Sequence, residues 1–244
     1  NSRLGQFNVP DCALAAAILA PRPVAALLSG TSPGYVRNYR IWGSAAVTGN
    51  TLMYDDGTVN FALIPGGTDG VVSELPSNAT VEGAFLFWSA SYDPGAPNYV
   101  DVDRDVDFSI PAGRTWRNLS VDALEPGEDP ASASFNRCLT VDSTPYGDEE
   151  FFYACRRDVT AMVRQGSAAL NGNYHVTGVE AVTGDCTVDP LCQAKYAGWS
   201  LVIVWSSPSE RVRRDVVLFD GFYLFDEEPG PQPLFSTGIS PYFT

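Results

Sequence analysis

The segment YAGWSLVIVWSSPSERVRRDVVLFDGF, Tyr196 to Phe222, decides the fold. Its first part, Trp199 to Trp205 (WSLVIVW), is apolar at almost every position, the pattern of a strand buried on both faces. SSPSE then supplies turn residues, and Val212 to Phe225 reads as a long strand carrying Asp220-Gly221. Further toward the N-terminus, Thr80 to Trp88 (TVEGAFLFW) repeats the doubly buried pattern through Phe85, Leu86 and Phe87, and Val100 to Ile110 alternates strictly. Shorter strands are expected at Ile41 to Thr48, Thr51 to Tyr54, Val59 to Ile64, Thr115 to Leu124, Ser134 to Val141, Phe151 to Cys155, Tyr174 to Val182 and Leu234 to Tyr242. Asp158 to Gln165 predicts a short helix with Asp158 as cap and Gly166 as stop. Residues 11–20 read either as a second short helix, from Asp11 to the stop at Pro21, or as an extended stretch lying on another surface. The expected architecture is all-β: a two-sheet β-sandwich of jelly-roll type with one or two short helices over residues 41–244, preceded by an N-terminal extension, residues 1–40. SGTSPG, Ser29 to Gly34, reads as a linker.

The chain has 244 residues, 45% apolar and 18% charged, which is enough to build a packed core. Fifteen bases against 29 acids leave a net charge of −14, which disfavours nucleic-acid backbone or an anionic membrane as partner. A single His, His175, and a single Lys, Lys195, rule out multi-histidine zinc sites and restrict nucleophilic or Schiff-base chemistry to one residue each. No GxGxxG, GxSxG, HExxH or GxxxxGK[ST] pattern occurs, and a lone strand His reads as structural, so neither an enzyme nor a cofactor is expected. The most apolar run, Cys12 to Leu28, is broken by Pro21, Arg22 and Pro23 and does not make a membrane span. The chain starts Asn1-Ser2-Arg3, which fits a processed N-terminus.

Five cysteines are present. Cys186 and Cys192 lie in a turn-like GDCTVDPLC and are expected to close a local disulfide; Cys138 and Cys155 flank an acidic turn and are expected to form a second. Both would imply an oxidising, extracellular or cell-surface setting. Cys12 is left over, as a buried thiol or a bond to another chain.

Several motifs resemble the N-terminal domain of large secreted or wall-anchored bacterial surface proteins, which usually precedes Ig-like repeats. VTGNTLM (Val47 to Met53), LPSNATVEGAFLFWSA, RRDVTAMVRQGSAALNGNYHVTGVEA and the opening segment occur in that family's order, over about Ile41 to Phe225. The resemblance implies a β-rich, extracellular, structural or adhesive protein without catalytic residues.

Four features carry the functional expectations. The extension holds Arg3, Arg22, Arg37 and Arg40 against Asp11, a balance of +3 in a chain of −14, and the apolar residues Ala13, Leu14, Ile18, Leu19, Val24, Leu27 and Leu28. Such a segment suits docking on a neighbouring subunit, giving a homo-oligomer or filament. Asp101, Asp103, Asp105 and Asp107 would share one strand face; they are calcium candidates, but a solvated strand face is the reading adopted, because carboxylates spread along a strand do not converge on one ion. Trp42 and Trp116, flanked by polar residues, are candidates for a glycan platform. Asn78 and Asn118 head glycosylation sequons, expected to be unmodified given the bacterial resemblance. The function expected is that of an extracellular, self-assembling structural subunit; the alternative is a secreted adhesin or glycan-binding module, with or without calcium.

Overall fold

The computed structural model describes residues 28–55, 60–93, 101–142, 151–166, 169–185 and 195–225. Within them the chain forms β1 (Leu28–Thr51), β2 (Met53–Asp55), β3 (Asn60–Leu63), β4 (Thr68–Val72), β5 (Thr80–Tyr92), β6 (Asp105–Ser109), β7 (Thr115–Ser120), β8 (Arg137–Asp142), β9 (Phe151–Asp158), α1 (Thr160–Gln165), β10 (Gly172–Thr177), β11 (Gly184–Asp185), β12 (Ala197–Ser206) and β13 (Arg213–Phe225). A 3-10 turn at Pro130–Ser134 precedes β8. The expected all-β sandwich is what forms. A six-stranded sheet runs β13-β1-β12-β5-β9-β8, a four-stranded sheet runs β4-β10-β6-β7, and a small sheet runs β11-β3-β2. The strand pairs are antiparallel throughout.

The two most apolar sequence segments become the centre of the large sheet. β12 pairs with β5, Trp199 opposite Trp88 and Leu201 opposite Leu86. Leu86, Trp88, Leu201 and Ile203 face the four-stranded sheet, where Val106, Phe108, Tyr174 and Val176 meet them in the main core. Phe85 and Val204 point the other way and pack with Phe135, under Tyr39, Ile41, Val216 and Leu218. The doubly apolar pattern is thus accounted for: one face is covered by the second sheet, the other by a ribbon made of the first part of β1 and β13.

That ribbon depends on β1 changing partners. Leu28 to Trp42 pair with β13, and Gly43 to Thr51 pair with β12. Gly43 marks the change; a Cβ there would collide with the Trp205 carbonyl oxygen. Ser29 to Gly34, expected as a linker, is part of β1, its backbone in register with β13 residues from Leu224 to Asp220. A partner strand distant in sequence supplies the ladder that its own composition does not signal. The boundary expected at residues 40/41 therefore falls inside a continuous strand.

Other differences are local. The strand expected at Val100 to Ile110 begins only at Asp105. Upstream of it, side-chain bonds hold the chain in place of a ladder: the Trp88 indole donates to the Asp103 carbonyl at 2.9 Å. β10 ends at Gly178, whose φ of +87° takes the chain out of the strand expected to reach Val182. The helix starts at Thr160 with Val159 in the cap position, although Asp158 still accepts the Thr160 N–H at 3.0 Å. Residues 11–20 and 234–242 lie outside the described residues.

Cys138 and Cys155 stand opposite each other on β8 and β9 and form the expected disulfide, 17 residues apart in sequence. Cys12, Cys186 and Cys192 lie outside the described residues. Closing a loop of this length stabilises by about 3 kcal/mol, mostly through the unfolded chain. Urea unfolding of the Cys138→Ala/Cys155→Ala double variant is therefore expected to show a loss of about that size at unchanged fold. A loss well under about 1 kcal/mol would mean that the bridge constrains little.

Candidate functional site

Trp42 is set apart by its place at the end of the ribbon. Trp88, Trp116, Trp199 and Trp205 are buried, whereas Trp42 is 53% exposed. It lies in an open groove between the β1 strand and the turn joining β12 to β13, lined also by Arg40, Thr80, Glu82, Ser206 and Arg211. The groove measures ≈ 790 Å³, within the roughly 300–1,000 Å³ of ligand clefts. Its walls are fixed by backbone and side-chain bonds. Ser207 N–H donates to the Trp42 carbonyl at 2.9 Å, and Glu210 N–H to Ser207 at 3.1 Å. Asn78 Oδ1 accepts from the Ser207 hydroxyl at 2.7 Å. Both acids of the groove are engaged: Glu82 accepts from Ser206 at 2.5 Å, and Glu210 accepts from two backbone N–H groups and pairs with Arg214 at 3.3 Å. The cations are more open. Arg40 meets only the exposed Asp215 at 3.6 Å, and the Arg211 guanidinium has no hydrogen-bond partner among the described residues.

The other platform candidate, Trp116, is not on the surface. It is 7% exposed, stacked on Phe108 in the core, with Arg114 lying over its ring at 4.7 Å. Polar neighbours in sequence misled because Trp116 and Leu119 of β7 face the core while Thr115, Arg117 and Asn118 beside them look outward.

The aspartate row is split by the late start of β6. Asp105 and Asp107 are on the outer face of the strand, Asp107 accepting the Asn118 N–H at 2.9 Å. Asp101 and Asp103 precede it. Asp101 accepts its neighbour's N–H at 2.7 Å, and half-buried Asp103 accepts the N–H groups of Glu180 at 2.7 Å and Asp105 at 3.3 Å. A single solvated face of four carboxylates is therefore corrected to two outward-facing carboxylates on the strand, an exposed Asp101 ahead of it, and Asp103, which ties two loops together. Among the described residues no group of three or more His, Cys, Asp or Glu is placed to hold a metal ion.

His175 is placed between β4 and the turn before it. Its Nδ1 is 2.7 Å from Asp69 and its Nε2 is 2.8 Å from the Gly66 carbonyl oxygen. The first contact ties β4 to β10, and the second ties the turn before β4 to it. Asn78 and Asn118 are exposed. Of the assembly residues, Ala13, Leu14, Ile18, Leu19, Val24 and Leu27 lie outside the described residues; Leu28 opens β1, with its backbone opposite Phe225 of the same chain.

A buried ionic layer was not anticipated. FFYACRRD, β9, ends in three consecutive charged residues inside the sheet. Arg156 donates to the Phe135 carbonyl at 2.6 Å, stacks over the Phe135 ring at 4.4 Å and pairs with Asp220 on β13. Arg137 reaches the same Asp220 at 3.3 Å. Asp158 accepts from Ser132 at 2.9 Å and meets Arg37 of β1 at 3.4 Å. On the opposite face, fully buried Arg157 donates to Glu128 at 2.8 Å. Burial lowers both buried arginines from their ordinary value and raises Glu128, all through loss of solvation. The signal for this layer was three charges in the pattern of a buried strand, visible in the sequence but without its partners.

No family model, curated protein or solved structure matches the chain, so the likeness to bacterial surface-protein domains rests on the quoted motifs alone.

Two outcomes follow from this chemistry. Arg157 Nε and Nη1 and Glu128 Oε1 have no hydrogen-bond partner among the described residues, so the pair recovers its desolvation only in part. Arg157→Met alone is expected to cost about 3–5 kcal/mol, and Arg157→Met with Glu128→Leu to restore most of it, in chemical unfolding. Equal losses in both variants would contradict this. The second concerns Asp103, pushed up to about 6 by burial against the pull of its two backbone bonds. The folded chain then holds a proton that the unfolded chain, near pH 3.9, has released. This group's contribution is full below about pH 4 and is lost as pH rises through 6. With solvent screening allowed for, the stability of the native protein relative to Asp103→Asn is expected to fall by about 1–2 kcal/mol between pH 4 and 7.5. A difference flat in pH would count against a raised Asp103.

Proposed function

We propose that the protein is an extracellular structural subunit that assembles with copies of itself. The observation that carries this reading is the outer strand of the large sheet. Among the described residues β13 has one strand neighbour, β1, and its outer face shows Val217 and Phe219, 42% and 60% exposed. A 13-residue strand with exposed apolar side chains at a sheet edge is a template for adding another chain, since one addition satisfies backbone groups and buries side chains.

Residues 28–40 are engaged with β13 of their own chain, so the docking role proposed for the extension narrows to residues 1–27. These carry the apolar residues from Ala13 to Leu27 and two Arg against one Asp. A basic, apolar stretch complements an acidic body, and a contact between segment 1–27 of one copy and the β13 edge of the next is heterologous, so it propagates. The Cys138–Cys155 bridge supports the oxidising setting. The role is non-catalytic in this reading.

Sedimentation and negative-stain electron microscopy of the purified full chain test it. Filaments or large oligomers are expected, and both Val217→Asp and removal of residues 1–27 are expected to leave a folded, monomeric β-domain. A full chain that stays monomeric as concentration is raised, or assemblies indifferent to both changes, would overturn the proposal.

A further inference from the structure

We propose that the groove beside Trp42 is a binding site for an acidic saccharide, a glycan segment carrying a carboxylate. The inference stands independently of self-assembly, because it uses neither β13's outer strand edge nor residues 1–27.

Three observations lead to it. The first is the indole. A side chain that the fold buries at four other positions is left half in water at this one, at the rim of the groove. Aromatic rings with one wet face are recognition surfaces, and the C–H face of a pyranose ring is a suitable apolar partner. The second is the unused hydrogen-bonding capacity. Glu82 and Glu210 are occupied by protein donors, and the hydroxyls of Ser206 and Ser207 spend their protons on Glu82 and Asn78. The charged groups left open are cationic: among the described residues Arg211 has no hydrogen-bond partner, and Arg40 has only a long, exposed contact with Asp215. A ligand must therefore bring acceptors, and a planar carboxylate matches a guanidinium fork. The third is shape. The groove is open and mixes charged and hydroxyl side chains with apolar ones, which suits a hydroxylated ring better than a hydrophobic molecule, which would need an enclosed apolar lining.

Charge then sets the selectivity. In a chain of net charge −14 a polyanion is repelled over most of the surface, and a groove lined by both Arg40 and Arg211 beside an aromatic ring offsets that repulsion locally. Binding is expected to weaken with added salt, since both arginines are exposed. An acidic peptide would satisfy the arginines but would not stack a sugar face on Trp42.

The test uses the full chain at low ionic strength, with tri-galacturonate as probe and a neutral trisaccharide as comparison, read by tryptophan fluorescence and calorimetry. The acidic sugar is expected to perturb the fluorescence and to bind at least about tenfold more tightly than the neutral one. Trp42→Ala and Arg211→Ala are each expected to weaken it by about tenfold or more, with Arg211→Lys retaining part of the affinity. Unchanged melting temperatures in these exposed-site variants separate binding loss from unfolding. The proposal is overturned by equal affinity for the two sugars, by no binding of the acidic sugar at millimolar concentration, by indifference to either variant, or by a glutamate-rich peptide competing as well as the sugar. The last outcome would make the groove a general anion contact. None of these outcomes bears on assembly, whose readout is sedimentation without any sugar present.

Discussion

The central sheet is apolar on both faces, and everything else follows from the need to cover both. Leu86, Leu201 and Ile203 require one cover, and Phe85 and Val204 require another. Burying side chains of this size is worth roughly 1.5–3 kcal/mol each, so neither face can be left to water. The four-stranded sheet supplies the first cover in the ordinary manner of a sandwich. The second comes from the same sheet's own edge: β1 is long enough to finish its pairing with β12 and continue as a ribbon with β13, which folds back over Phe85 and Phe135.

Charge fixes where that ribbon closes. Asp220 from the ribbon is held by Arg137 and Arg156 of the far strands, and Arg37 from the ribbon meets Asp158. The two contacts run in opposite senses, an acid reaching across to bases and a base reaching across to an acid. An apolar ribbon on an apolar face could slide by two residues with little loss. A slip here would separate Asp220 from its two arginines and Asp158 from Arg37, leaving two largely buried carboxylates without a counter-charge, a cost of several kcal/mol. The ionic layer is therefore read as a register device more than a source of stability, consistent with burial lowering both buried arginines.

The apolar run WSLVIVW, the FLF triplet and the alternation in β6 and β10 state burial directly, so the sandwich class and its central strands were legible in the sequence. What escaped was set by partners distant in the chain. SGTSPG reads as a linker until β13 pairs with it, and RRD reads as a strand end until Asp220, Ser132 and Glu128 arrive. Trp42 lies between Ile41 and Gly43 and Trp116 between Thr115 and Arg117, yet the sheet's layering leaves the first exposed and buries the second. The groove around Trp42 was half legible: its aromatic was singled out, but Arg211 and Glu82 come from segments that meet it only through β12 and β5.

The position of the disulfide connects these parts. Cys155 immediately precedes Arg156 on β9, and Cys138 immediately follows Arg137 on β8. The bridge therefore joins the strands at the residues next to the two arginines that hold Asp220. Fixing one cross-strand distance beside both guanidiniums restricts their relative motion, so the donor pair for Asp220 is preorganised. The same preorganisation extends up the ribbon. β13 is anchored at Asp220 and β1 at Arg37, and the strand pairing between them carries the closure to Trp42 opposite Arg213. An exposed indole at the end of a strand clamped in this way keeps a defined position without being packed, and a surface aromatic can recognise a ring only under that condition.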